Sequence, residues 1–127
     1  MASNKIVTFG PVALSTTLTT NIFSPPTTTG GTGVPPVSTN TYFIFRHIRI
    51  VNKTGTAATF SLWKDASAGN TAGKEIIGSG MSVAANSFVD WFGLLRLSSD
   101  ETDKFIVGGA GTATALTLQG EGEMGIV

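Results

Sequence analysis

Along this chain, short apolar runs alternate with polar residues at a period near two. Clusters of Gly, Pro, Thr, Ser and Asn separate them. That pattern predicts strands and turns, and no window holds the 3.6-residue period of an amphipathic helix. The longest run is residues 42–52, YFIFRHIRIVN, which contains no Gly or Pro and reads as a long central strand. Alternation sets Ile44, Ile48 and Ile50 on one face, expected to be core. Phe43, Phe45, His47, Arg49 and Val51 fall on the other face, half aromatic and half basic. Arg46 interrupts the apolar face unless it stands at a rim or beside a bulge. An aromatic and Arg-bearing face suits protein contact, which makes Phe45 and Arg49 partner-contact candidates; the alternative is a second sheet or loop lying over the Phe residues.

The same pattern places short strands on both sides of this one. Residues 5–9 (KIVTF) form a strand ended by Gly10-Pro11, residues 12–18 a second extended piece, and residues 21–23 a third. A turn at 53–56 (KTGT) leads to a returning strand at 57–64 (AATFSLWK). There Phe60 and Leu62 point one way, and Thr59, Ser61 and Trp63 the other, so Trp63 is either a contact anchor or packed under a loop. Residues 65–73 (DASAGNTAG) form a loop. Residues 74–77 are a strand broken by Gly78-Ser79-Gly80, and 81–84 a further extended piece. Residues 88–97 (FVDWFGLLRL) fit strand or helix by length; Gly93, the aromatic content and the flanking turns favour strand. After the acidic turn 98–103 comes a strand at 104–107, with Phe105 and Val107 on one face, broken at 108–111 (GGAG). A strand at 112–119 follows, with Leu116 and Leu118 inward, and then a tail at 120–127. About eight strands at such intervals predict an all-β fold: a single antiparallel β-sandwich, jelly-roll or Ig-like.

Residues 24–40, SPPTTTGGTGVPPVSTN, stand apart. They hold four of the five prolines, and this composition builds no core and favours extended, polyproline-like backbone. The stretch is either a contact loop, through Pro25, Pro26, Pro35 and Pro36, or a segment folded back on its own sheet. The expected organisation is one domain over 1–127: an N-terminal arm at 1–23, the Pro/Thr/Gly-rich loop at 24–40 and the sandwich at 41–123.

Charge narrows the partners. Eight basic and eight acidic residues cancel, and charged residues are only 13% of the chain. Nucleic acid as a partner would call for a basic patch, and an anionic membrane surface for a basic cluster. No apolar run reaches the length of a membrane helix, and the first ten residues do not read as a signal peptide. Zero net charge with positive mean hydropathy suits a chain whose surface is largely covered by neighbours. There are no cysteines, hence no disulfide and no Cys metal site.

Candidate chemistry is sparse, and the expectation is a protein without enzymatic activity, cofactor or metal. Gly120, Gly122 and Gly125 match a dinucleotide-binding spacing, but only two residues follow, so no helix opens behind it. His47 is the single histidine and reads as a structural residue on a strand. Asp100, Glu101 and Asp103 are clustered oxygens without a calcium-loop pattern. Asp90, in an apolar segment beside Trp91, is expected to have a raised pKa, yet it lacks a partner carboxylate for acid–base work. Asn52-Lys53-Thr54 matches a glycosylation sequon and reads as a turn.

Over residues 41–123 the order of pieces resembles small β-sandwich virion proteins of tailed bacteriophages. The pieces are IRIVNKTGTAATFSLWK, EIIGSGMSVAANSFVDWFGLLRLSSDETDKFIVGG and TATALTLQGEGE. The resemblance implies a structural protein of the particle, a capsid decoration (cement) protein on the capsid exterior. It further implies the major capsid protein as partner and a homo-oligomer, with a trimer favoured. A neck, tail or fibre-attachment component is the nearest alternative. A carbohydrate-binding β-sandwich stacking sugars on Trp63, Trp91 or Tyr42 is an alternative of another class.

Overall fold

The structure, a computed structural model, describes residues 5–25, 27–29 and 38–126. Pro26, Pro35 and Pro36, and with them most of the Pro-rich stretch, lie outside the described residues. Among the described residues nine strands make the fold: β1 (Lys5–Ala13), β2 (Asn21–Phe23), β3 (Thr27–Thr29), β4 (Ser38–Asn52), β5 (Ala58–Asp65), β6 (Glu75–Val83), β7 (Phe88–Ser98), β8 (Phe105–Ala110) and β9 (Leu116–Ile126). One sheet runs β1-β9-β4-β7, with β3 paired to residues 38–40 of β4. The other runs β2-β8-β5-β6, and every pairing is antiparallel. The pairs nest: β1 with β9, β2 with β8, β4 with β7, β5 with β6. A long hairpin rolled into two facing sheets has this connectivity, which makes the sandwich a jelly roll. An Ig-like order, with its sheets ABED and CFG, does not pair the first strand with the last.

The core lies between the sheets. Phe9, Phe45, Ile48, Ile50 and Leu118 from the larger one meet Phe60, Leu62 and Ile106 from the smaller. Its densest part is aromatic: the Phe9 ring lies 4.2 Å from Phe45, 4.9 Å from Phe43 and 5.8 Å from Phe23. Phe43 and Phe45 therefore point inward, opposite to the simple alternation of the sequence. Arg46 is the reason. The register slips between Phe45 and His47 against both neighbours of β4, so one extra residue flips the strand. Phe43 and Phe45 before the bulge and Ile48 and Ile50 after it share the core face, while Ile44, His47 and Arg49 face outward. Phe45 is fully buried, and the folded chain does not offer it to a partner.

Glycines explain the strands that the sequence divides. Residues 74–77 and 81–84 are one strand, β6, running through Gly78-Ser79-Gly80. β8 continues to Ala110 through Gly108-Gly109, because a Cβ at Gly108 would stand 2.1 Å from the Ser61 carbonyl oxygen. β9 begins only at Leu116, after a turn at 111–115, and runs on through the supposed tail. A Cβ at Gly120 would come 3.1 Å from the Phe45 ring, and one at Gly122 would be 1.7 Å from the Ile44 carbonyl oxygen. The Gly-x-Gly spacing thus seats a phenyl ring and a neighbouring backbone on a strand. At the other end Gly10-Pro11 does not stop β1, which resumes pairing at Val12 after a register shift; residues 14–20 are not strand. On β8 it is Ile106 that enters the core, with Val107 on the opposite face.

Asn52 fixes the turn after β4. It is buried, its amide nitrogen donates to the carbonyls of Thr56 (2.8 Å) and Val83 (3.1 Å), and its carbonyl oxygen accepts from the Thr54 backbone N–H (2.9 Å) and hydroxyl (2.7 Å). The sequon is an Asx turn with every polar atom of the Asn side chain in use.

Candidate functional site

The two sheets treat their outer faces differently. On the smaller sheet, Trp63 and Asp65 share the side of β5 opposite Leu62, and Asn21, Val107 and Trp63 stand in register across β2, β8 and β5. The Asn21 side chain donates to Ser67 Oγ (2.9 Å) and accepts from the Ala68 N–H (2.7 Å), drawing loop 66–73 over this side. Asp65, buried beneath the loop, accepts from the N–H groups of Ala66 (2.7 Å) and Thr71 (2.9 Å) and from Lys74 Nζ (3.2 Å). These donors, the backbone N–H groups foremost, hold its carboxyl far below the usual carboxylate range. Trp63 is 5% exposed, so the folded chain does not offer it as a contact anchor or a sugar platform. Pro25 is buried as well.

The outer face of the larger sheet is open. Across it run two rows set by strand register: Thr8, Glu121, His47 and Phe92, then Gln119, Arg49 and Asp90. Arg49 clasps Asp90 with two bonds, Nε to Oδ1 at 2.7 Å and Nη2 to Oδ2 at 2.9 Å. His47 Nε2 joins the same Oδ1 at 2.8 Å. Arg49 also lies 4.2 Å from the Phe88 ring centre, and His47 stacks on Phe92 at 4.6 Å with the rings 11° from parallel. At the bulge, Arg46 Nε reaches Glu123 at 2.7 Å. These contacts fix an aromatic and charged lattice on a rigid sheet. Phe88, Phe92 and Leu94 nevertheless remain 52%, 72% and 66% exposed, and Ile6 stands out from β1.

Asp90 differs from the sequence expectation. Arg49 first, and His47 second, lower its pKa to about 2 instead of raising it. The sequence of one strand could not have revealed a partner directly opposite on the neighbouring strand. The carboxylate is a fixed anion with both oxygens engaged, an anchor for two side chains. Two open hollows flank His47. One of about 310 Å³ is lined by Thr8, Arg49, Gln119 and Glu121. The other, of about 280 Å³, is lined by Ile6, Arg46, Glu121 and Glu123. Of the sequence candidates, Arg49 lies in this site, while Phe45 and Trp63 are interior. Phe88, Phe92 and Leu94 were not singled out beforehand; their even spacing on one face of 88–97 was the available signal.

The acidic turn is tied down by cations: Asp103 accepts from Lys74 Nζ (2.9 Å), and Glu101 lies near Lys64 (3.6 Å) and Arg96 (3.7 Å). Among the described residues no three His or carboxylate groups converge as a metal ion would require, and no helix is long and apolar enough to cross a membrane. Comparison of the chain with protein-family models, with curated proteins and with solved structures finds no match, so the functional reading rests on the geometry above and on the resemblance carried by residues 41–123.

Proposed function

We propose that this chain is a non-enzymatic structural protein of a bacteriophage particle. In this reading it sits on the outside of the capsid as a decoration protein and strengthens contacts between major capsid subunits. The observation that carries the reading is the open face of the larger sheet. There Phe88, Phe92 and Leu94 stand in water within a fixed lattice of ion pairs, on a chain with no net charge. Contiguous exposed apolar groups ringed by polar ones mark surfaces that other proteins cover. Aromatic residues and Arg are the types such surfaces favour. On a particle, the contact repeats at every equivalent position, so modest affinity per copy suffices to hold the shell.

Co-sedimentation with undecorated capsids of the same particle tests this. The expected result is a fixed ratio of chain to capsid protein in the pellet. A chain that stays in the supernatant at saturating capsid overturns the reading, and an image that places it at the neck or tail moves it to the nearest alternative.

A further inference from the structure

We infer that the partner on the open face inserts an arginine beside Glu121, where the two hollows meet; the inference rests on the reading of that face as the contact surface. The charges of the face are paired with one exception. Arg46 bonds to Glu123, Arg49 clasps Asp90, and Arg96 leans to Glu101 (3.7 Å). Glu121 is left over. It is exposed, and among the described residues it has no hydrogen bond or ion pair; only the field of Arg49 reaches it. Strand register puts it inside the face, between Thr8 on β1 and His47 on β4. It lines both hollows, whereas Glu123 lines one and Asp90 neither.

Covering this face takes Glu121 out of water. A carboxylate that loses its water without gaining a counter-charge opposes association strongly. Arg46 and Arg49 cannot turn to Glu121 without leaving Glu123 or Asp90 unpaired in its place. The surface that covers Ile6, Phe88 and Phe92 must therefore bring a cation of its own. The shape of the site selects among cations. Ile6, which is 90% exposed, forms an apolar wall of the second hollow, and such a wall suits the methylenes of a long basic side chain. His47 is a flat ring bordering both hollows. A guanidinium is planar, pairs with a carboxylate in a two-bonded fork, lies against rings and is more weakly hydrated than an ammonium. Arginine therefore fits here better than lysine.

Two experiments separate this inference from the reading it rests on. The first uses the full chain alone. N-acetyl-arginine methylamide, titrated at low salt into isotope-labelled chain, is expected to shift the amide signals of Glu121 and Gly122 saturably, and its uncharged citrulline counterpart is not. The shifts are expected to vanish in Glu121→Gln. No saturable shift, or equal shifts with the citrulline probe, overturns the inference whatever the capsid does. The second is co-sedimentation with undecorated capsids. Glu121→Gln is expected to weaken binding by about tenfold or more, because the partner's cation is then buried unpaired, and Glu121→Lys by more still. Glu121 is exposed, so an unchanged melting curve verifies the fold of both variants. A Glu121→Gln chain that sediments like the native one, while Phe88→Ser weakens, overturns the arginine and leaves the contact face standing. If neither variant weakens binding, the contact face itself fails, and the inference with it.

Discussion

The two outer faces of this sandwich use similar residues to opposite ends. On the smaller sheet, a carboxylate, an amide and an indole are folded inward. Asp65 and Asn21 hold loop 66–73, on the side of the sheet where Trp63 and Val107 are buried. On the larger sheet, a carboxylate again organises its neighbours, but Asp90 holds two side chains at the surface and leaves large apolar groups beside them in solvent. The difference lies in what donates to each carboxylate. Backbone N–H groups come from a loop and must bring the loop with them. Arg49 and His47 come from the adjacent strand and bring nothing over the face. Polar anchoring therefore seals one side and keeps the other available.

Substitutions can separate these roles. The largest effect is expected at the sealed face. Trp63→Ala should cost about 3–5 kcal/mol in a urea melt, the usual penalty for emptying a buried indole site, and should leave the oligomeric state unchanged. Asp65→Asn should also lower the melting midpoint, by less than Trp63→Ala, because Lys74 and the N–H of Ala66 or Thr71 lose a charged acceptor. Its signature is pH. Asp65 and Asp90 both have folded values below the unfolded value of about 3.9. Their contribution is complete above that value and lost as pH falls through the folded ones, near 2 for Asp90 and lower for Asp65. The stability of Asp65→Asn should thus fall less steeply than that of the native chain as pH drops below about 4. The smallest stability effect belongs to the open face: Phe88→Ser should move the melt by no more than about 0.5 kcal/mol, yet weaken capsid binding in co-sedimentation. A Phe88→Ser chain that melts far lower would mean this ring is structural, and the contrast between the faces would fail.

Much of the fold was legible in the alternation of residues. The long central strand, the return strand ending in Trp63-Lys64 and the apolar 88–97 run all stand as strands. What misled was local chemistry with a distant cause. Gly108, Gly120 and Gly122 look like breakers, but each makes room for a backbone or ring from another strand. Arg46 looks like a defect in an apolar face, and it is the bulge that reverses the faces of β4 and turns Phe45 inward. The site was half visible. Arg49 stood out by type, but its grip on Asp90 depends on the register of β4 against β7, which no single strand encodes.

The nested pairing of the strands also has a bearing on synthesis. β9 lies between β1 and β4, joining Lys5 to Met124 and Asn52 to Leu116. Two strands made early thus have no shared neighbour until residues 116–126 have left the ribosome. β4 and β7 can pair first, but β1 joins the larger sheet only through β9; such long-range closure is expected to take milliseconds to seconds.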